Sequence, residues 1–173
     1  LRVILPGLDL ARFPSVPREE WRAKLNVPET ALFAAIIARM SPEKGQEVLL
    51  EALKLLPQEK RSRLCILMTG DDYPERSASE LHALARSLGV ENYVRFAPRC
   101  TDVRTLLQEL DFGIITSVRS EAVCRIALEM MAYRLPIITS DVNILPEVIS
   151  HGATGFVTPV KDSRALAEAL DKV

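Results

Sequence analysis

The sequence predicts a Rossmann-like, doubly wound three-layer α/β/α fold around a mainly parallel sheet, and three observations carry that prediction. Five short runs are continuously apolar, as strands covered on both faces are. Amphipathic helical patterns alternate with them through short connections, which is the order of a βαβ fold. At 173 residues, 48% hydrophobic and 26% charged, the chain is sized for one domain with a sizeable core.

Taken in order, Pro17 followed by Arg18–Leu25 reads as a helix with proline in its first turn. The first strand is Ala31–Ala38 and the first long helix Glu43–Leu56. A second strand, Leu64–Thr69, leads to a helix over Glu75–Leu88 that Gly89 stops. Tyr93–Ala97 and Phe112–Thr116 are the third and fourth strands, with a helix over Val103–Glu109 between them. A helix over Glu121–Tyr133 precedes the fifth strand, Pro136–Thr139, and Asp162-Ser163 caps a last helix through Leu170. Trp21, Leu25, Met130 and Met131 are expected to pack inward.

Composition narrows the function. A formal net charge of −1 provides no basic field for nucleic acid, and no basic stripe interleaved with aromatics occurs. The apolar runs are too short to span a bilayer and the start lacks a signal-peptide layout, so a cytoplasmic chain is expected. Cys65, Cys100 and Cys124 are odd in number and lack CxxC spacing, which indicates free thiols and no metal site.

In open α/β sheets ligands bind outside the carboxyl ends of strands. After the first strand lie Arg39 and Lys44, a planar fork and a mobile point charge suited together to a pyrophosphate. The plainer alternative is two solvated loop charges. Gly70, after the second strand, would let backbone approach a ligand, while Asp71 and Asp72 read as a turn. Arg99, after the third, could border a nucleobase. After the fourth, Ser120 and Glu121 are expected to open a helix whose first amides, those of Ala122, Val123 and Cys124, are free donors for a diphosphate or sugar. Arg125 would then run against the helix dipole and call for an anionic partner or a solvent path. On such a helix Glu121 and Glu129 stand about 12 Å apart along the axis and about 80° around it. They suit two parts of one elongated ligand rather than an acid/base dyad.

Together these segments resemble the group 1 retaining glycosyltransferases of GT-B fold, relatives of glycogen and sucrose synthases. The likeness runs through Leu5-Pro6-Gly7-Leu8-Asp9 to Phe13, Arg39 to Lys44-Gly45, Thr69-Gly70-Asp71, Val94-Arg95-Phe96, Glu121 to Glu129, Leu145-Pro146-Glu147 and Gly152 to Gly155. It implies one half of a GT-B architecture: residues 1–173 as the C-terminal, donor-binding domain of an enzyme whose N-terminal acceptor domain is absent from this chain. It implies a nucleoside-diphosphate sugar donor, UDP-, GDP- or ADP-linked, and no bound metal or other cofactor. Arg39 and Lys44 would clamp the leaving diphosphate, Glu121 would contact donor-sugar hydroxyls, and Glu129 the ribose. Any association with a membrane surface would come through the missing domain, and the isolated chain is expected to bind nucleotide weakly without transferring sugar. An envelope polysaccharide or lipopolysaccharide is a plausible acceptor for this family.

The chain departs from the family pattern in two places. An asparagine is missing before Gly7, and Ala122-Val123-Cys124 replaces the usual Gly-Phe-Gly after Glu121, with Arg125 in a normally aliphatic position. Two other readings share the scaffold: a nucleotide-sugar epimerase, and a regulatory or partner-binding module. A CheY-like or flavodoxin-like domain fits the alternation but leaves Arg39, Lys44, Glu121 and Glu129 without a task.

Overall fold

The computed structural model describes residues 7–173 and is α/β throughout. Leu5 and Pro6, part of the first segment that carries the family resemblance, lie outside the described residues. Six strands, β1 (Leu32–Ile37), β2 (Leu64–Thr69), β3 (Val94–Ala97), β4 (Phe112–Ile115), β5 (Ile137–Ser140) and β6 (Gly155–Thr158), form one sheet in the order β3-β2-β1-β4-β5-β6. Every neighbouring pair is parallel. The fully apolar β1 and β2 alternate their side chains between two cores. Ala34, Ile36, Ile66 and Met68 face one side, and Phe33, Ala35, Cys65 and Leu67 the other. Burial on both faces explains why these strands lack the polar alternation of a one-sided sheet.

The first core is closed by α2 (Gln46–Leu55), α4 (Ala78–Ser87) and α8 (Ser163–Leu170). The second is closed by α1 (Trp21–Lys24), α5 (Val103–Leu107), α6 (Arg125–Ala132) and α7 (Leu145–Val148), with the single turn α3 (Gln58–Arg61) between α2 and β2. Capping fixes the helix ends. Ser77 and Glu80 form a complete capping box on α4, and Asp162 accepts from the Ala165 amide on α8. Gly89, at φ +69°, follows α4 in the left-handed conformation that ends helices.

Four elements differ from the sequence expectation. The first helix shrinks to Trp21–Lys24 because both Glu109 carboxylate oxygens take the Trp21 and Arg22 amides, at 3.1 and 3.2 Å, and so fix the helix start from a distant segment. The long helix expected from Glu43 opens instead with a 3-10 turn, Pro42–Lys44, and Gly45 turns the chain into α2. The helix expected from Glu121 begins four residues later, at Arg125. β6 is an edge strand with only Thr158 fully buried, so it lacks the apolar run that marks the inner strands. Met130 packs inward against Gly113, but Met131 is 38% exposed, contrary to expectation.

The first strand, β1, lies in the middle of the sheet; the next two run outward to β3, and the fourth returns to the other side of β1. The loops after β1 and β4 therefore diverge at the switch in strand order, where a crevice opens. Gly45 sits where they touch, at φ +62°, and a Cβ there would fall 2.2 Å from the Thr116 carbonyl oxygen. Gly45→Ala is expected to cost at least about 2 kcal/mol, from the left-handed backbone and the forced separation of the two loops. Equilibrium denaturation should show a lower midpoint with an unchanged slope.

Candidate functional site

Hydrogen bonds tie the carboxyl-end loops of five strands into a continuous rim. The Thr69 hydroxyl donates to the Pro98 carbonyl at 2.6 Å, and the Met40 amide to the Asp71 carbonyl at 2.8 Å. Thr116 donates its hydroxyl to the Lys44 carbonyl at 2.8 Å, and the Val118 amide bonds the Glu43 carbonyl at the same distance. From β5, the Ser140 hydroxyl reaches the Ser117 carbonyl at 2.6 Å, and Asn143 accepts the Glu121 amide at 3.0 Å. Side-chain positions along this rim are thereby set by backbone that cannot drift independently.

Three adjoining cavities lie inside the rim. One of about 650 Å³ is bordered by Arg39, Gly70, Asp71, Arg99 and Glu129. A narrower one of about 190 Å³ reaches Lys44, Ser117, Glu121 and Cys124. A third, about 540 Å³, runs between Gly7–Phe13 and the start of α6. Arg125 borders all three, so together they form one elongated cleft.

Glu121 is buried in the loop before α6 and receives both the Lys44 ammonium and the Ser117 hydroxyl on one carboxylate oxygen. The axial separation expected of Glu121 and Glu129 on a common helix therefore does not apply: only Glu129 is helical. Glu129 is also buried, and Arg125 donates its Nε to it at 2.8 Å across one helical turn while leaving most of the guanidinium in solvent. The cation at the helix start thus has its anionic partner and its solvent path. Among the described residues, no protein acceptor pairs with the amides of Ala122, Val123 or Cys124. They remain free donors, although α6 starts beyond them.

Arg39 is exposed over the largest cavity, with its guanidinium 5.0 Å from the centre of the Tyr73 ring. Arg99 reaches Asp71 at 3.6 Å and is mostly in solvent. Gly70 borders the cleft, but its missing side chain answers to protein: a Cβ would meet the Ala38 carbonyl at 1.9 Å. That close approach, rather than a ligand, accounts for glycine at this position. Asp72 accepts from the Ala78 amide at 2.8 Å, as the turn reading of this loop expects. Gly7 borders the third cavity with open space around it. Ser120 and Ala122 are exposed and lie outside the lining of all three cavities. Sequence reasoning missed Asn143 and Tyr73. Asn143 has φ +46°, a backbone state that asparagine tolerates, and only the fold brings it to Glu121.

A family model for group 1 glycosyl transferases matches residues 17–173. The chain belongs to that family. A D-inositol 3-phosphate glycosyltransferase of Actinosynnema mirum is 33% identical over 178 residues, taking in 99% of this chain and 42% of the relative. The structure of Anabaena HepE in complex with UDP and glucose superimposes with a TM-score of 0.86 at 27% identity, over 99% of this chain and 46% of that one. WaaG, a glycosyltransferase involved in lipopolysaccharide biosynthesis, does so with a TM-score of 0.82 at 27% identity, over 99% and 46%. The chain thus spans less than half the length of each. The Rossmann-like sheet is a half of the GT-B type seen in such neighbours. No helix among the described residues is long and apolar enough to cross a membrane.

The floor of the narrow cavity also holds Cys124, whose thiol burial pushes up to about 12, with the nearby Glu121 carboxylate adding to the rise. A thiol of that pKa has a thiolate fraction of about 10⁻⁴ at pH 8. Cys124 should therefore resist iodoacetamide at pH 8 in the folded chain and react once urea unfolds it. Peptide mass mapping of the alkylated sites, with and without urea, checks this.

Proposed function

We propose that residues 1–173 are the donor-binding domain of a retaining glycosyltransferase that moves a sugar from a nucleoside-diphosphate sugar to an acceptor. The observation that carries this reading is the Lys44–Glu121–Ser117 cluster at the switch in strand order, beside the unpaired amides of Val123 and Cys124, both of which line the cleft. It puts a mobile cation, backbone donors and a buried carboxylate in one cleft with room for an elongated ligand. Diphosphate oxygens suit the first two and sugar hydroxyls the third.

In this reading Lys44 and Arg39 neutralise the charge that develops as the diphosphate leaves, which lowers the barrier to breaking the glycosidic bond. Glu121 accepts from donor-sugar hydroxyls. Glu129 turns from Arg125 to the ribose, freeing that guanidinium for a phosphate or an acidic sugar. Arg99 borders the base. Gly7 and the residues after it wall the far end of the cleft. The UDP and glucose named for the Anabaena neighbour support a uridine nucleotide as the first candidate, and the lipopolysaccharide role of WaaG supports a glycan acceptor. The acceptor would be held by a second domain, within the part of the longer relatives that residues 1–173 do not span, so these residues alone bind donor without transferring sugar. Three free cysteines suit a cytoplasmic site of action.

Calorimetric titration of the chain with UDP, GDP and ADP tests the reading. One diphosphate should bind saturably and keep its affinity in chelator. Lys44→Ala should weaken it about tenfold or more, the scale of a lost charge-assisted hydrogen bond. Glu129→Ala should weaken the nucleotide but not inorganic pyrophosphate, since the ribose contact is absent there. Equal loss for both ligands would assign Glu129 elsewhere.

A further inference from the structure

Most of the cleft's cations are held by carboxylates. Lys44 lies on Glu121, Arg125 on Glu129, and Arg99 near Asp71. Arg39, like Arg12 at the far end of the cleft, pairs with no carboxylate among the described residues, but its guanidinium alone of the two lies over an aromatic ring, that of Tyr73. A carboxylate partner would cancel the charge that a diphosphate is to use. An aromatic face holds a cation through its quadrupole while leaving the charge in place.

The surroundings of both residues are built to keep that contact. The carbonyl of Arg39 accepts from Nε2 of the fully buried Gln46 at 2.8 Å, which fixes the backbone beneath the arginine. Tyr73 stands in a turn closed by two reciprocal backbone bonds with Arg76, at 2.9 and 3.0 Å. That turn is anchored to α4 through Asp72 and the Ala78 amide, and to α2 through Arg76 and Glu47 at 3.9 Å. Tyr73 borders none of the three cavities, so its ring serves the arginine rather than a ligand directly.

We propose that Tyr73 is a positioning residue that holds Arg39 over the donor cleft with its charge free for the diphosphate. This rests on the donor-site reading above. The hydroxyl has no part in it: the ring alone is required.

The test is a double-mutant cycle on UDP and inorganic pyrophosphate binding by the full chain, with thermal melts to confirm that the half-exposed Tyr73 can be replaced without unfolding. Tyr73→Ala should weaken both ligands about two- to five-fold, the range of an exposed cation–π contact. Tyr73→Phe should restore wild-type affinity, and Tyr73→Ala should have no further effect once Arg39→Ala is present. Loss in Tyr73→Phe equal to that in Tyr73→Ala, or full additivity with Arg39→Ala, would overturn the proposal. So would unchanged affinity in Tyr73→Ala. If Arg39→Ala weakens both ligands while Tyr73→Ala does not, the donor site stands and only the role of Tyr73 falls. If Arg39→Ala itself changes nothing, or the wild type binds neither ligand, the diphosphate reading falls with it.

Discussion

The buried carboxylate of Glu121 is the constraint on which the cleft depends. A charge removed from water is tolerated only when paired and hydrogen-bonded. Here the carboxylate's partners come from two different loops, Lys44 after β1 and Ser117 after β4, while Asn143 after β5 holds the Glu121 backbone amide. Satisfying this one residue, side chain and backbone, therefore ties three strand ends together. Leaving such a group without its cation costs about 3–5 kcal/mol in general, enough to make the arrangement self-enforcing.

Gly45 lets that arrangement close. Lys44 can reach across to Glu121 only because the next residue turns left-handed directly against the Thr116 carbonyl. The carbonyl of Lys44 is then taken by the Thr116 hydroxyl, so its backbone and its side chain are both held by the β4 loop. Strand order supplies the opportunity. Because β1 and β4 are adjacent in the sheet while their crossovers leave on opposite sides, their loops meet side by side.

The inner architecture was legible because it is a matter of local pattern. β2 is as apolar as a strand buried on both faces must be, and its bounds coincide with the run Leu64–Thr69. The cap on α8 likewise follows from short-range chemistry at Asp162, whereas the capping box of Ser77 and Glu80 starts α4 at Ala78, three residues after the expected Glu75. What was illegible depends on partners far along the chain. Helical periodicity continues back to Glu121, and alanine and glutamate both favour helix. Yet the residue leaves the helix because Lys44 and Ser117 draw its carboxylate inward, an attraction that outweighs the few tenths of a kcal/mol at stake in propensity. Glu109 shortens the first helix by the same kind of long-range contact. Arg39, Lys44, Glu121 and Glu129 stood out in sequence as charges at strand ends and a helix entry. Their grouping into one cleft could be inferred from strand order, but the pairing of Lys44 with Glu121 and of Arg125 with Glu129 could not.

That pairing bears on how such a site works. A cleft carrying several bare cations would be costly to fold and would attract any anion, whereas one whose charges are matched internally is stable while empty. A ligand must then offer at least as much as the contacts it displaces. In the donor reading proposed above, sugar hydroxyls would join or replace Ser117 on Glu121 while phosphate oxygens share the Lys44 ammonium with that carboxylate, so the buried charge keeps its cation. An isolated phosphate or an isolated sugar satisfies only half of the exchange. In that reading, selectivity for a ligand containing both groups would come from the internal pairing itself, before any contact with base or ribose is counted.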